Sequence, residues 1–312
     1  MIARNRKRRK PPRPSDWGFG MTVCVAGMAD AGKSLVLSCD SMISTGEFSG
    51  DHVAFKLYPL AAATGTWSAM MCGDDISHVW PVVQEANERL IRIGRDAITE
   101  ETVGRAFAEA YQAVRRMHAQ DEVLSPFGVT FEQFRSDGPR IFGDSYREVA
   151  AELAQIDLGC QFLLAGFDRD GDGHILTIEN PGAIRNHDPV GFWAIGSGAN
   201  SALGILFFHS MRGDLPLARV LYHICEAKFM AESALGVGKH TTVRVLTHDS
   251  NQWDHTELNE ASIESIRTVW EREGKARVPQ AAIVVFEREL AKLPAITRRS
   301  RQSASRKSES GK

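Results

Sequence analysis

No run of about 18 apolar residues occurs in these 312 residues, so no membrane-spanning helix is expected. The basic start is not followed by an apolar segment, which speaks against a secretory signal. Cysteine is scarce: five residues, at 24, 39, 72, 160 and 225, with no C-x-x-C pair among them. An odd, scattered set points to reduced thiols in a cytoplasmic protein and away from a zinc site. Neither a metal nor a cofactor is expected.

Charge is also missing from the total, which is only −2, but this neutrality conceals an asymmetry. Residues 1–14 hold seven basic side chains and no acid, and residues 298–312 carry a surplus of five positive charges, which leaves 15–297 at −14. Both ends are polar and rich in proline or serine, and they cannot bury a core. They read as disordered segments, 1–20 and 296–312, around one domain over 21–295. A nucleic-acid-binding arm is the sharper alternative, but the aromatic residues that would interleave with such charge are absent. Apolar content of 43% is ordinary for a globular protein with a sizeable core.

Residues 22–27 and 35–40 read as a strand pair, with Asp30-Ala31-Gly32 as the turn. A helix is expected from near Asp75, with Ile76, Val79, Trp80, Val83, Ala86 and Leu90 at helical spacing. A second opens at Thr99, an N-cap followed by Glu100 and Glu101, with an apolar stripe of Val103, Phe107, Ala110, Val114 and Met117. Residues 122–144, punctuated by glycine and proline, read as an insertion before a short helix at 146–156. Strands follow at 161–167, 174–178 and 192–195, helices at 200–211 and 216–230, a strand at 240–246 and a helix at 259–271. Strands and helices in separate blocks predict the α+β class, with packed sheets and helices outside them.

Two formal motifs are set aside on context. Gly27 to Ser34 matches the phosphate-loop pattern G-x-x-x-x-G-K-S, but that motif must open a helix, and Leu35-Val-Leu-Ser-Cys-Asp40 is strand-like. A phosphate-loop nucleotide-binding protein is therefore the weakest reading, and it requires a helix at 33–45. Asp168-Arg-Asp170-Gly-Asp172-Gly173, with Glu179 beyond, matches a calcium loop. The β-rich stretch after it and Pro181-Gly182 fit a polar hairpin turn better.

Three residues on the strand-like pieces of 22–58 form a chemically meaningful set: Thr22, Asp40 and Lys56. A threonine hydroxyl is a weak nucleophile and needs a base. A threonine that is the first residue carries its own base, an α-amine of reference pKa near 8. A lysine nearby favours loss of a proton, and a carboxylate keeps that lysine ionised and in place. Singly, each residue has an ordinary alternative: a β-former, half of an ion pair, a turn.

In order and spacing, this set resembles the proteasome β-type family of N-terminal-nucleophile (Ntn) hydrolases. The distant bacterial proteasome homologues, with a Thr-x-Cys-Val-like start, are closer than proteasome subunits proper. Thr22 falls at the family's nucleophile, Asp40 at its lysine-orienting carboxylate and Lys56, in Phe-Lys-Leu-Tyr, at its catalytic lysine. Gly73, in Met-Cys-Gly-Asp-Asp, falls at the glycine whose N–H forms the oxyanion hole. Ala194-Ile-Gly196-Ser197-Gly198 matches the turn whose serine sits beside the threonine amine. Phe162-Leu-Leu-Ala-Gly-Phe-Asp and Pro181-Gly182 match the preceding hairpin. Near the end, Glu232 stands where the family has an aspartate and Leu235 where it has a serine. The resemblance spans roughly residues 22–248 and implies several things: a four-layer α-β-β-α sandwich, threonine-type cleavage of peptide bonds and a homo-oligomeric ring or spiral that admits peptide or unfolded-protein substrate. The alternative is a proteasome-like structural subunit without chemistry.

Thr22 cannot act with residues attached to its amine. Residues 1–21 could be a propeptide cut after Met21. Alternatively, translation starts at Met21 and an aminopeptidase removes that methionine, as the small neighbour Thr22 favours. The second route is the expectation, because the polybasic, proline-rich leader suits disposable sequence.

Overall fold

Strands at 24–29 and 34–40 are buried at every position, because both of their faces are covered. The structure, a computed structural model, describes residues 22–45, 48–51, 55–60, 66–73, 77–249, 252–275 and 279–291. The leader 1–20, Met21, Asp75, Ile76 and the tail 296–312 lie outside them.

In chain order the strands are β1 (Cys24–Ala29), β2 (Ser34–Asp40), β3 (Ile43–Thr45), β4 (Phe48–Gly50), β5 (Leu57–Pro59), β6 (Trp67–Gly73), β7 (Cys160–Phe167), β8 (Gly173–Glu179), β9 (Ala183–Asn186), β10 (Phe192–Ile195), β11 (Thr241–Asp249) and β12 (Gln252–Glu257). The helices are α1 (Val79–Ile93), α2 (Glu100–Ala119), α3 (Phe131–Phe142), α4 (Tyr146–Gln155), α5 (Ala199–Phe208), α6 (Leu217–Ala231), α7 (Glu260–Val269) and α8 (Gln280–Ala291). The chain is thus mixed α and β, with two five-stranded sheets in the orders β10-β1-β2-β11-β12 and β5-β6-β7-β8-β9. Every pairing within them is antiparallel.

Strand alternation explains how the layers meet. Cys24, Ala26 and Met28 of β1 and Leu35, Leu37 and Cys39 of β2 share one core with Leu57, Met70, Leu163, Ala165 and Ile175 of the second sheet. The opposite face of β1 meets helices: a Cβ on Gly27 would lie 2.8 Å from Ile224 on α6. The second sheet turns its other face, with Ala69, Met71, Phe162 and Leu164, toward α1 and α2. Each fully buried Leu, Val or Phe there contributes on the order of 1.5–3 kcal/mol. Among the described residues, no helix is long and apolar enough to cross a membrane.

The helix stripes differ in detail from the sequence reading. Val79, Val82, Val83, Ala86 and Leu90 are buried on α1, but Trp80 lies beside that stripe and is 53% exposed. Met117, at the end of the α2 stripe, is likewise exposed. Thr99 caps α2 as expected, accepting from the Thr102 N–H in a reciprocal box.

The insertion expected at 122–144 carries helix α3, and α4 is the short helix expected after it. Together they enclose a core of Val123, Leu124, Val129, Phe134, Val149 and Leu153. Gly138 and Pro139 obscured α3 in the sequence. Gly138 leaves the room in which Tyr146 stacks on Phe134, with ring centroids 5.0 Å apart. By contacts the chain divides into residues 1–267 and 268–312. In the second unit, α8 was not anticipated, and Lys275 lies over the Trp270 ring at 4.7 Å.

Both discounted motifs are hairpin turns. Asp30–Gly32 is a single 3-10 turn leading straight into β2, so no helix opens at Lys33. Lys33 instead binds the other motif, with Nζ donating to the Gly171 carbonyl at 3.2 Å and to Asp172 at 3.0 Å. That second turn links β7 to β8, with Asp168 accepting the N–H groups of Asp170 and Asp172.

His187, just after β9, stacks on Trp193 of β10 at 4.0 Å, and its Nε2 lies 3.0 Å from the Thr177 hydroxyl. Burial, opposed by Asp188, pulls its pKa from 6.5 down to about 4. The unfolded chain therefore binds the extra proton between those values, and this contribution to stability is lost as pH falls through that window. In urea titrations at pH 7 and pH 5, wild type should lose roughly 1–2 kcal/mol more than His187→Gln. Equal losses would rule out this role for the ring.

Candidate functional site

Antiparallel pairing brings four strand ends to one edge of the first sheet. Cys24 pairs with both Cys39 and Ile195, and Asp40 pairs with Thr241. The start of β1, the ends of β2 and β10 and the start of β11 therefore meet, and with them Thr22, Asp40, Ser197 and Gly238. Lys56 arrives from the other sheet, immediately before β5.

Thr22, Asp40 and Lys56 are all buried, with exposures of 2%, 0% and 4%. The Lys56 ammonium donates to the Thr22 hydroxyl and to both Asp40 oxygens, the latter at 3.2 and 3.1 Å. The Thr22 hydroxyl in turn donates to Asp40 Oδ1. Backbone N–H groups complete the carboxylate shell: Val23 on Oδ1 at 2.9 Å, with Met42 at 3.0 Å and Gly238 at 3.2 Å on Oδ2. A buried carboxylate tolerates its loss of water only with such partners.

Ser197 accepts from the Thr22 N–H at 3.3 Å and reaches the Leu235 carbonyl at 3.0 Å. Gly198 donates to the Thr22 carbonyl at 3.1 Å. Gly196 makes the approach sterically feasible: its φ is +96°, and a Cβ there would lie 2.3 Å from the Thr22 carbonyl oxygen. Gly73 ends β6 opposite Cys160, and any side chain would collide with the Gly159 carbonyl 2.2 Å from its Cβ position. Close packing therefore accounts for this glycine whether or not its N–H serves an oxyanion.

Glu232 is not brought to Thr22. It accepts from Lys228 at 2.6 Å and from both terminal nitrogens of Arg267 at 2.8 and 2.7 Å, and it makes no hydrogen bond to Thr22. Lys228, completely buried, gives its other bonds to the carbonyls of Gly238 at 2.7 Å and Lys239 at 3.0 Å. Burial lowers the Lys228 pKa, and Glu232 opposes that shift. This trio holds the backbone that aims the Gly238 N–H at Asp40. The sequence reading missed Lys228 and Arg267. The i, i+4 pair Lys228–Glu232 was the available signal, but nothing local announces Arg267, 35 residues further on. Leu235 presents only its carbonyl to Ser197, and its side chain is 85% exposed.

The neighbouring thiols are poor competitors as nucleophiles. Burial raises the Cys24 pKa well above its ordinary value, and burial together with Asp40 pushes Cys39 to about 12. A cleft of about 290 Å³ opens beside Ser197, lined by Gln161, Thr177, Trp193, Gly196, Ser197 and Asn200. A larger one of about 790 Å³, edged by Arg115, Arg116 and Arg135, lies at the α3–α4 excursion and contains none of the Thr22 set.

No model of a known protein family matches the chain, and no curated protein matches it.

Proposed function

We propose that this chain is a threonine-type amide hydrolase with the four-layer α-β-β-α sandwich of the proteasome-like Ntn hydrolases, Thr22 being its nucleophile. One observation carries the reading: a buried lysine bonded at once to the Thr22 hydroxyl and to both oxygens of Asp40. An ordinary structural ion pair has no need of a threonine hydroxyl between its partners.

With its amine free, Thr22 would lose the hydroxyl proton to that amine while Lys56 stabilises the growing negative charge. Oγ1 then attacks a peptide carbonyl, the C–N bond breaks, and the leaving amine takes the proton. An ester to Thr22 remains, which water hydrolyses. Ser197 orients the amine, Asp40 holds Lys56 ionised, and the Gly73 N–H is the oxyanion donor by resemblance. Glu232 acts at one remove, through Lys228 and the 238–239 backbone. By the same resemblance, the assembly is a homo-oligomeric ring or spiral and the substrate a peptide or unfolded chain, and the scattered, unpaired cysteines fit a cytoplasmic setting.

The test is covalent. The purified chain is first read at its N-terminus and then exposed to a peptide β-lactone. A chain beginning at Thr22 should gain one adduct per molecule, mapped to Thr22. A chain that begins at Thr22 and stays unmodified would remove the catalytic reading. The non-catalytic subunit, favoured by the exposed Leu235 side chain at the family's serine position, would then take its place.

A further inference from the structure

Three ligating side chains converge between α5 and α6, away from the Thr22 set. Glu226 on α6 is only 3% exposed, yet among the described residues no lysine or arginine pairs with its carboxylate. Its partners among the described residues are two imidazoles. His209, which caps α5, places Nε2 3.0 Å from Glu226 Oε2, and His223, one turn before Glu226, places Nδ1 3.5 Å from the same oxygen. The imidazole rings lie 4.6 Å apart. His209 Nε2 is buried and misaligned for hydrogen bonding, so it has no hydrogen-bond partner despite that short distance.

We propose that His209, His223 and Glu226 form a site for a zinc-class divalent cation that ties the end of α5 to α6. Two imidazoles and one carboxylate suit Zn²⁺ and its late first-row neighbours. Ligand bonds of roughly 2.0–2.1 Å in a tetrahedron put ligand atoms about 3.3 Å apart. The two distances to Glu226 Oε2, 3.0 and 3.5 Å, bracket that edge. The ion supplies the positive charge that the buried carboxylate lacks, and it uses the nitrogen that hydrogen bonding leaves idle. Arg219 donates to His223 Nε2 at 3.4 Å, so the ring proton sits on Nδ1 without metal. Coordination through Nδ1 shifts that proton to Nε2, which ends the hydrogen bond from Arg219. Three protein ligands leave one position of a tetrahedral ion for water.

The rival explanation is a protonated histidine paired with Glu226. A second cluster, Glu100, His174 and Asp188, is the competing metal site, but there Asp188 already pairs with His174 at 2.7 Å. The full chain, stripped with chelator, is titrated with Co²⁺ alone and followed by visible absorption. One equivalent per chain with the strong bands of four-coordinate cobalt is expected, and Zn²⁺ should displace it. His209→Ala and Glu226→Gln should each weaken binding by at least tenfold while circular dichroism stays unchanged. Absence of stoichiometric binding to wild type overturns the proposal. So does binding that survives in His209→Ala, or that is lost in His174→Ala instead.

Discussion

Replacing Lys56 by methionine is expected to slow acylation of Thr22 by about 10³-fold or more, with the chain still folded. The ammonium is the cation bonded to the Thr22 hydroxyl, and it bridges that hydroxyl to Asp40. Without it, a growing alkoxide faces the Asp40 carboxylate with nothing positive between them. The interaction turns from attractive to repulsive in a site where water does not screen it. Loss of one such electrostatic donor costs about 10²–10³ in rate, and loss of assisted proton transfer about 10²–10⁴. The fold should survive because Asp40 keeps the Val23, Met42 and Gly238 N–H groups and the Thr22 hydroxyl. Lys56→Arg should fare little better, since a planar fork cannot place one donor among three oxygens as a compact ammonium can. Adduct formation by β-lactone, timed by intact mass on material of equal folded fraction, measures this. A rate within tenfold of wild type would remove Lys56 from the chemistry.

Thr22, Asp40 and Lys56 stood out in the amino-acid sequence through their order on strand-like pieces and the resemblance, and the three side chains do meet. Thr22 and Asp40 lie at the ends of strands legible from β-branched and apolar runs, joined by an Asp-Ala-Gly turn. The rejection of a phosphate loop at Lys33 likewise rested on strand character, and β2 occupies that stretch. What stayed hidden depends on distant packing. Asp40 draws three backbone donors from separate places, one of them 198 residues away, and no spacing rule encodes that. Glu232 looked like a carboxylate for the amine, whereas Arg267 and Lys228 claim it. The α3 helix was masked by Gly138-Pro139, whose ordinary meaning is a break but whose use here is to admit Tyr146. The His209–His223–Glu226 group matches neither of the metal patterns weighed in the sequence, paired cysteines and a calcium loop. Only His223 and Glu226 share a helix face, and His209 joins them through the α5–α6 packing.

Asp40→Ala is expected to cost about 3–5 kcal/mol, a large part of the 5–15 kcal/mol by which a typical domain is stable. The substitution strands the Lys56 ammonium, 4% exposed, beside a cavity with no counter-charge. It also leaves the N–H groups of Val23, Met42 and Gly238 without their acceptor. Urea titration of the variant tests the first term. The second is isolated by Asp40→Ala/Lys56→Met, in which the orphaned charge is gone and only the N–H groups remain unpaired. The double variant should therefore be more stable than Asp40→Ala alone, with a coupling energy of about 1–3 kcal/mol. Losses that add to within about 0.5 kcal/mol would mean that the two charges do not feel each other. Coupling of that size also bears on function. A buried ion pair is often replaceable by well-packed apolar residues with no loss of stability, so stability alone gives no reason to keep one here. If Thr22→Val, Asp40→Leu and Lys56→Met together yield a chain as stable as wild type that takes no β-lactone, the polar set serves the hydroxyl and not the fold. If that triple variant unfolds, the set is structural first, and the weight of the reading moves to the non-catalytic subunit.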